Sequence, residues 1–352
     1  MKLTDYVTLG RSGLRVSPVC LGTMTFGTAW GWGADEGAAR AMFDAYVDGG
    51  GNFVDTADIY TGGQSEELVG KFVADRQLRD RVVLATKFTF NTEKGNPNAG
   101  GNGRKHVRRA VEASLRRLGT DYLDLYWLHC WDMVTPVDEL VRTVDDLVRA
   151  GLVRHVGFSD VPAWYAARAQ TIAELRGLEP VVALQLEYSL VERGIERELV
   201  PASQELGMAI TPWSPLAGGF LAGKYPADGG GDGRLAKHRG SGNPAFDRMT
   251  ARNYEILDVA IAVAREVDRP VAQVALAWLL GRPGVTSTIV GARSVEQLAQ
   301  NLGALELTLS AAQRTRLDDV SRIIPGHPYT FFTDAAQNMM YGSARVTRWR
   351  PA

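Results

Sequence analysis

The stretch Asn52-Phe53-Val54-Asp55-Thr56-Ala57-Asp58-Ile59-Tyr60, NFVDTADIY, ends a short apolar run with an aspartate and places a tyrosine five residues later. Read as a strand, Phe53–Asp55 is apolar on successive rather than alternate positions, as a strand buried on both faces must be. Taken alone, the same letters also describe ordinary loop formers and a tyrosine covering apolar surface. The decision therefore rests on whether the pattern recurs.

It recurs along the chain. Further short apolar runs lie at Val19–Leu21, Val82–Lys87, Leu123–His129, Val153–Phe158, Val182–Gln185, Met208–Trp213 and Thr286–Val290. Helical patterns separate them. Ser65 is placed to cap SEELVGKFV, with Glu66 and Glu67 in the first turn, where the helix dipole favours acids. In RKHVRRAVEASLRRLG, Val107, Ala110, Val111, Ser114, Leu115 and Leu118 share one face, arginines fill the other, and Gly119 ends the helix. Thr135-Pro136 opens VDELVRTVDDLVRAG with proline at the first helical position and Gly151 at the end, and Ser294 with Gln297 forms a capping box before LAQNLGAL. Strand and helix alternating through eight repeats predict an α/β fold, the closed (β/α)8 TIM barrel, as one domain over residues 1–352. An N-terminal β-hairpin, YVTLGRSGLRVS, precedes it and turns at Gly10-Arg11-Ser12-Gly13.

Two stretches interrupt the rhythm. Residues 91–103 and 217–250 are rich in Gly, Asn and Asp and predict mobile loops on the face that follows the strand ends, and the tail 324–352, without periodicity, is expected over the same mouth. Composition narrows the partners. Thirty-nine basic residues against 40 acidic ones give a net charge of −1, which lacks the basic footprint of a nucleic-acid binder. Two cysteines, Cys20 and Cys130, argue against a disulfide framework and for a reducing, cytoplasmic setting. No signal-peptide pattern opens the sequence, and no run approaches the roughly 18 apolar residues of a membrane span. The oligomeric state is left open.

In a barrel of this kind, polar residues at strand C-termini converge on one mouth. Asp55 ends the second strand, Lys87 the third and His129 the fourth, and Tyr60 lies just past Asp55. Singly, Lys87 can snorkel to water and His129 can be a core histidine. Together they make an acid. A free tyrosine, with a pKa of about 10, donates a proton poorly at neutral pH, and a nearby ammonium lowers that value. Lys87 supplies the ammonium, Asp55 holds it charged, and His129 can orient the reacting oxygen.

FVDTADIY and GGQSEELVG, then LATK, DYLDLYWLH, GFSD, LQLEYSL, PWSPLAGGFLAGKY and GARSVEQLAQN, resemble the successive signatures of the aldo-keto reductase superfamily, of the general bacterial type, in order from about residue 15 to residue 305. The resemblance implies an NAD(P)H-dependent reductase of aldehydes or ketones, with catalytic residues Asp55, Tyr60, Lys87 and His129, no metal, and NADPH preferred to NADH. It places Ser159, Asp160 and Gln185 around the nicotinamide carboxamide and stacks Trp213 on the nicotinamide. Ser214, Leu216 and Gly218 then line the pyrophosphate path, and Gly291, Arg293, Gln297 and Asn301 surround the adenosine end. Two positions depart from the common pattern: Asp160 stands where the family usually has Asn, and Trp213 where it often has Tyr. Aspartate cannot donate to the carboxamide oxygen, and Ser159 or Asp160 can also cap the helix that Pro162 begins. Trp30, Trp32, Phe88 and Trp131, just after strand ends, can wall an apolar substrate pocket or serve loop packing.

Competing motifs fail on their own terms. GGFLAGKY, Gly218–Tyr225, follows a phosphate-binding G-x-x-x-x-G-K but puts Tyr225 where Ser or Thr must meet magnesium. His106, His129, His155, His238 and His327 show no metal-ligand spacing. Two other classes remain to be separated by experiment: a catalytically weak cofactor-sensing regulatory subunit on the same barrel, and a lyase or isomerase using Lys87 as a Schiff-base nucleophile.

Overall fold

The computed structural model describes residues 1–226, 233–237, 247–344 and 346. Val7–Thr8 (β1) and Arg15–Val16 (β2) form the antiparallel hairpin. Eight parallel strands follow: β3 (Val19–Gly22), β4 (Phe53–Asp55), β5 (Val83–Phe88), β6 (Leu123–Leu128), β7 (Val153–Ser159), β8 (Val181–Glu187), β9 (Ala209–Trp213) and β10 (Thr288–Val290), paired in the order β10-β3-β4-β5-β6-β7-β8-β9. The last seam is closed beside β10, where Ile210 N donates to Gly284 O at 2.9 Å and Thr286 N donates to Ile210 O at 2.9 Å. The result is a (β/α)8 barrel. Its helices are α1 (Glu36–Asp48), α2 (Gln64–Asp75), α3 (Arg104–Leu118), α4 (Val137–Arg149), α5 (Ala163–Arg176), α6 (Leu199–Leu206), α7 (Arg234–Lys237), α8 (Ala251–Glu266), α9 (Val271–Leu280), α10 (Val295–Leu302) and α11 (Ala311–Val320).

Strand parity sorts the side chains into two layers. Cys20, Phe53, Val83, Ala85, Leu125, Trp127 and Ala209 fill the barrel interior. Their neighbours Leu21, Val54, Leu84, Tyr126 and Phe158 face the helices. That alternation places Lys87 inward, two residues beyond Ala85, and Phe88 outward, where it is fully buried against Tyr126 with ring centroids 4.8 Å apart. Phe88 is thus part of the helix-facing core and does not wall the mouth.

Several predicted helix ends are displaced. Gly63, at φ 97°, is the N-cap of α2; Ser65 lies inside the helix, and its buried hydroxyl donates to Thr23 O at 2.8 Å and shares hydrogen bonds with the Thr23 and Thr56 hydroxyls. It ties the ends of two strands together instead of capping. Pro136 is the N-cap of α4, so the helix starts one residue later than predicted, and it ends at Arg149. Before α10, Ser294 accepts from Gln297 N as a cap should, but the Gln297 side chain accepts from Arg293 N at 3.1 Å, so the reciprocal bond falls one residue before the cap. Gly119 closes α3 in the left-handed conformation, as read from the sequence.

Of the interruption at 217–250, Ala217–Ala222 forms 3-10 turns and Arg234–Lys237 a short helix; the glycine-rich 227–232 and residues 238–246 lie outside the described residues. The chain divides into two compact units at Ser321. In the second, Tyr329–Phe331 makes a 3-10 turn and α12 (Asp334–Tyr341) is capped by Thr333, a helix the sequence reading left out. Among the described residues, no helix is long and apolar enough to cross a membrane.

Gly157 on β7 leaves no room for a side chain in the barrel interior: a Cβ there would lie 2.3 Å from the Trp127 ring. Gly157→Ala is therefore expected to lower stability by about 1–3 kcal/mol, as overpacking does. Denaturant unfolding checks this, and an unchanged midpoint would show that Trp127 has room to yield.

Candidate active site

At the C-terminal end of the barrel, three inward strand ends and one loop meet. Lys87 is fully buried, and a bare ammonium there would shed its proton. Its Nζ donates to Asp55 Oδ2 in an ion pair, to Thr56 O at 2.8 Å and to Tyr60 OH at 3.1 Å. Burial works against the charge, but Asp55 first and Tyr60 second outweigh it and hold the lysine above its ordinary pKa. Asp55 is itself raised by burial, against the pull of Lys87. Its other oxygen, Oδ1, accepts from Gln185 Nε2 at 3.1 Å. Gln185 was expected only at the carboxamide; with Nε2 committed to Asp55, its Oε1 is the atom left for a ligand amide.

Tyr60 rides on a tight turn. Thr61, Gly62 and Gly63 all take positive φ, at 50°, 69° and 97°. For threonine that conformation is costly. It is fixed by the Thr61 hydroxyl donating to Phe26 O at 2.9 Å. The Tyr60 phenol lies above its usual pKa: burial dominates, and the Lys87 ammonium lowers the value without cancelling burial. The ammonium therefore does not prevail, contrary to the lowering expected from the residue types alone.

His129 stands edge-on to Tyr60, with ring centroids 5.8 Å apart. Burial, and then the Lys87 charge, push its pKa well below the ordinary value, so the imidazole is neutral, and its Nδ1 is sealed without a hydrogen-bond partner. Phe90 lies against the same ring at 4.7 Å and is 42% exposed. Trp30 is edge-on to Tyr60 at 6.3 Å and packs on Trp32 at 5.6 Å. Trp131 instead packs on Trp164 and Tyr165 of α5. The aromatic wall around the tyrosine is therefore Trp30, Trp32 and Phe90. Phe90 was missed because it lies beyond the strand end, past Thr89 at φ 128°, where the alternation of β5 no longer says which way a side chain faces.

On the far side of the mouth, Ser159 and Gln185 are paired neighbours on β7 and β8. Asp160 does not cap α5, whose N-cap is Pro162 with no side-chain bond. It takes a left-handed φ of 43° and accepts from Trp213 Nε1 at 3.1 Å. The carboxyl is exposed to the mouth, yet protein crowding raises it to about 6, against the Trp213 hydrogen bond and the Lys87 charge. The two departures from the family pattern are thus one hydrogen-bonded pair. After Trp213 the chain turns through positive φ at Ser214, Ala217, Gly218 and Gly219, leaving Ser214, Leu216 and Gly218 half-buried along one loop. At the seam, Gly291 and Arg293 are exposed ahead of α10, while Gln297 and Asn301 lie on that helix.

A neutral imidazole, a phenol bonded to an ammonium, an indole face and two amide or hydroxyl strand ends fit a nicotinamide and a carbonyl. In comparison with known proteins, residues 18–322 match the Aldo/keto reductase family, and the chain belongs to it. It is an oxidoreductase of a family that uses nicotinamide cofactors. An aryl-alcohol dehydrogenase of Pestalotiopsis microspora is 36% identical over 323 residues, covering 90% of this chain and 80% of its own. A norsolorinic acid reductase of Aspergillus flavus is 35% identical over 328 residues, 91% of this chain and 81% of its own. An aryl-alcohol dehydrogenase [NADP(+)] of Phanerodontia chrysosporium is 34% identical over 349 residues, 94% and 90%.

Removing one partner of a buried ion pair strands the other. Lys87→Met is expected to cost about 3–5 kcal/mol in denaturant unfolding, and adding Asp55→Asn should restore part of it. A Lys87→Met protein as stable as wild type would mean the pair carries no charge.

Proposed function

We propose that this protein is an NADPH-dependent reductase of aromatic aldehydes or ketones, with Tyr60 as the general acid. The observation that carries the reading is the Lys87 Nζ to Tyr60 OH hydrogen bond of 3.1 Å, backed by Asp55. When bound, the reduced nicotinamide supplies the hydride. Tyr60 OH gives its proton to the carbonyl oxygen as that oxygen gains negative charge, and Lys87 stabilises the phenolate left behind. Asp55 keeps Lys87 protonated through the cycle. Neutral His129 orients the carbonyl oxygen without competing for the proton. The indole of Trp213, held by Asp160, offers the face for the nicotinamide, while Ser159 and Gln185 take its carboxamide. Asp160 accepts from the amide nitrogen while keeping Trp213 in place.

The aromatic preference rests on Trp30, Trp32 and Phe90, which flank Tyr60 and His129 with flat apolar faces, and on the aryl-alcohol and norsolorinic acid names of the relatives. The NADPH preference rests on Arg293, exposed ahead of α10, whose guanidinium can pair with a 2′-phosphate. Glu296 in the first turn of α10 opposes it, its carboxyl held below the usual range by the Ser294 hydroxyl. A cytoplasmic setting rests on two unpaired cysteines.

Tyr60→Phe is expected to lower kcat with an aromatic aldehyde by about 10²–10⁴ while leaving NADPH affinity near wild type; near-normal kcat would remove Tyr60 as the acid. Arg293→Ala is expected to weaken NADPH about 10- to 150-fold and NADH little. Fluorescence titration of both cofactors checks it, and equal losses would defeat the phosphate assignment.

A further inference from the structure

Two residues before Tyr60, Asp58 presents a carboxyl that the tetrad does not use. It is 3% exposed, and neither of its oxygens has a hydrogen-bond partner. Its backbone N donates to Lys87 O at 3.2 Å, so the residue joins the Tyr60 turn to the end of β5. The groups whose charges act on it come from three surrounding elements. On α2, Glu66 is fully buried and already committed, accepting from Thr86 Oγ1 at 2.5 Å and Arg117 Nε at 2.6 Å. On α3 stands Arg117, and on β5 Lys87. On β6 the buried Tyr126 hydroxyl also lacks a partner, and its phenol is raised by burial and then by Asp58.

A carboxylate in that position would be desolvated beside the Glu66 carboxyl, with the Ile59 backbone N–H the one donor near it and no hydrogen bond of good geometry. Its two nearby cations are spoken for by Glu66 and Asp55. Burial and then Glu66 raise the Asp58 carboxyl to about 8, against Arg117, the Ile59 backbone N–H and Lys87. Tyr60 and Lys87 are both shifted upward from ordinary values already well above that. Neither Tyr60 nor Lys87 therefore titrates just above neutrality.

We propose that Asp58 is a positioning residue for the general acid: uncharged, it lets the turn 58–61 pack against the end of β5, and its ionisation loosens that turn and ends turnover on the alkaline side. The step is a proton transfer alone; the carboxyl O–H bond breaks and the proton passes to hydroxide in solvent. The proposal rests on the reading of Tyr60 as the acid for its rate consequence, but the loosening of the turn is observable without turnover.

Two measurements on the full chain test it. Hydrogen exchange of the peptide spanning residues 56–63, corrected for the intrinsic rate, should show protection at pH 7 that is lost at about pH 9 in wild type and retained in Asp58→Asn. The alkaline limb of kcat for NADPH-dependent aldehyde reduction, normalised to each protein's own plateau, should move up by about one pH unit or more in Asp58→Asn. Should that variant fold poorly, Glu66→Gln keeps the shape and removes the like charge, and the loss of protection should then move to lower pH. Protection that is the same at both pH values in wild type, or an alkaline limb unmoved by Asp58→Asn, overturns the proposal. Absent aldehyde turnover in wild type would defeat the reductase reading, while the exchange result still decides Asp58.

Discussion

A lysine ammonium sealed from water must be matched by a carboxylate or lose its proton, and the mouth of this barrel is organised by that constraint. Lys87 is fully buried at the end of β5. Asp55 matches it from the adjacent strand, Thr56 offers a carbonyl, and Tyr60 is left at the third donor position. The ammonium is thus a fixed positive charge beside a phenol whose proton can leave. Without the pairing by Asp55, burial would neutralise Lys87 and the phenol would lose its counter-charge.

Around that core, each neighbour is constrained by another. Gln185 spends its amide nitrogen on Asp55, which fixes which of its atoms faces a ligand. The Ser65 hydroxyl ties Thr23 to Thr56 and so steadies the strand ends on either side of Asp55. Asp160 and Trp213 hold each other across the mouth. Replacing the family's usual asparagine and tyrosine by this pair keeps an aromatic face while making its orientation depend on a carboxyl with a pKa of about 6.

Much of this was legible in the sequence, because the barrel writes its own signal. Continuous apolar runs mark strands covered on both faces, and Asp55 and Lys87 were found at strand ends by reading where those runs stop. What escaped the reading depended on a single residue of phase or on distance. Extending parity by one step would have turned Phe88 to the helices, since a one-residue shift changes the face of a strand, whereas Phe90 reaches His129 only because Thr89, at φ 128°, breaks that alternation. Ser65 followed by two glutamates imitates a cap, but Gly63, with its positive φ, takes that position. The Gln185–Asp55 and Trp213–Asp160 bonds join residues 130 and 53 positions apart, and no local pattern announces them. The direction of the Tyr60 shift also required burial to be known, because the sign of the balance between desolvation and the Lys87 charge is set by the surrounding packing.

The central claim is that the charged Lys87–Asp55 pair and Tyr60 make a working proton donor for carbonyl reduction, not a site that only binds cofactor. The direct measurement is the loss of NADPH absorbance when the wild-type protein meets a panel of aromatic and aliphatic aldehydes and ketones, with the alcohol product quantified. The account predicts stoichiometric alcohol formation, fastest with flat aromatic carbonyls. Tight NADPH binding with no alcohol formed from any carbonyl would contradict it and point to a sensing subunit.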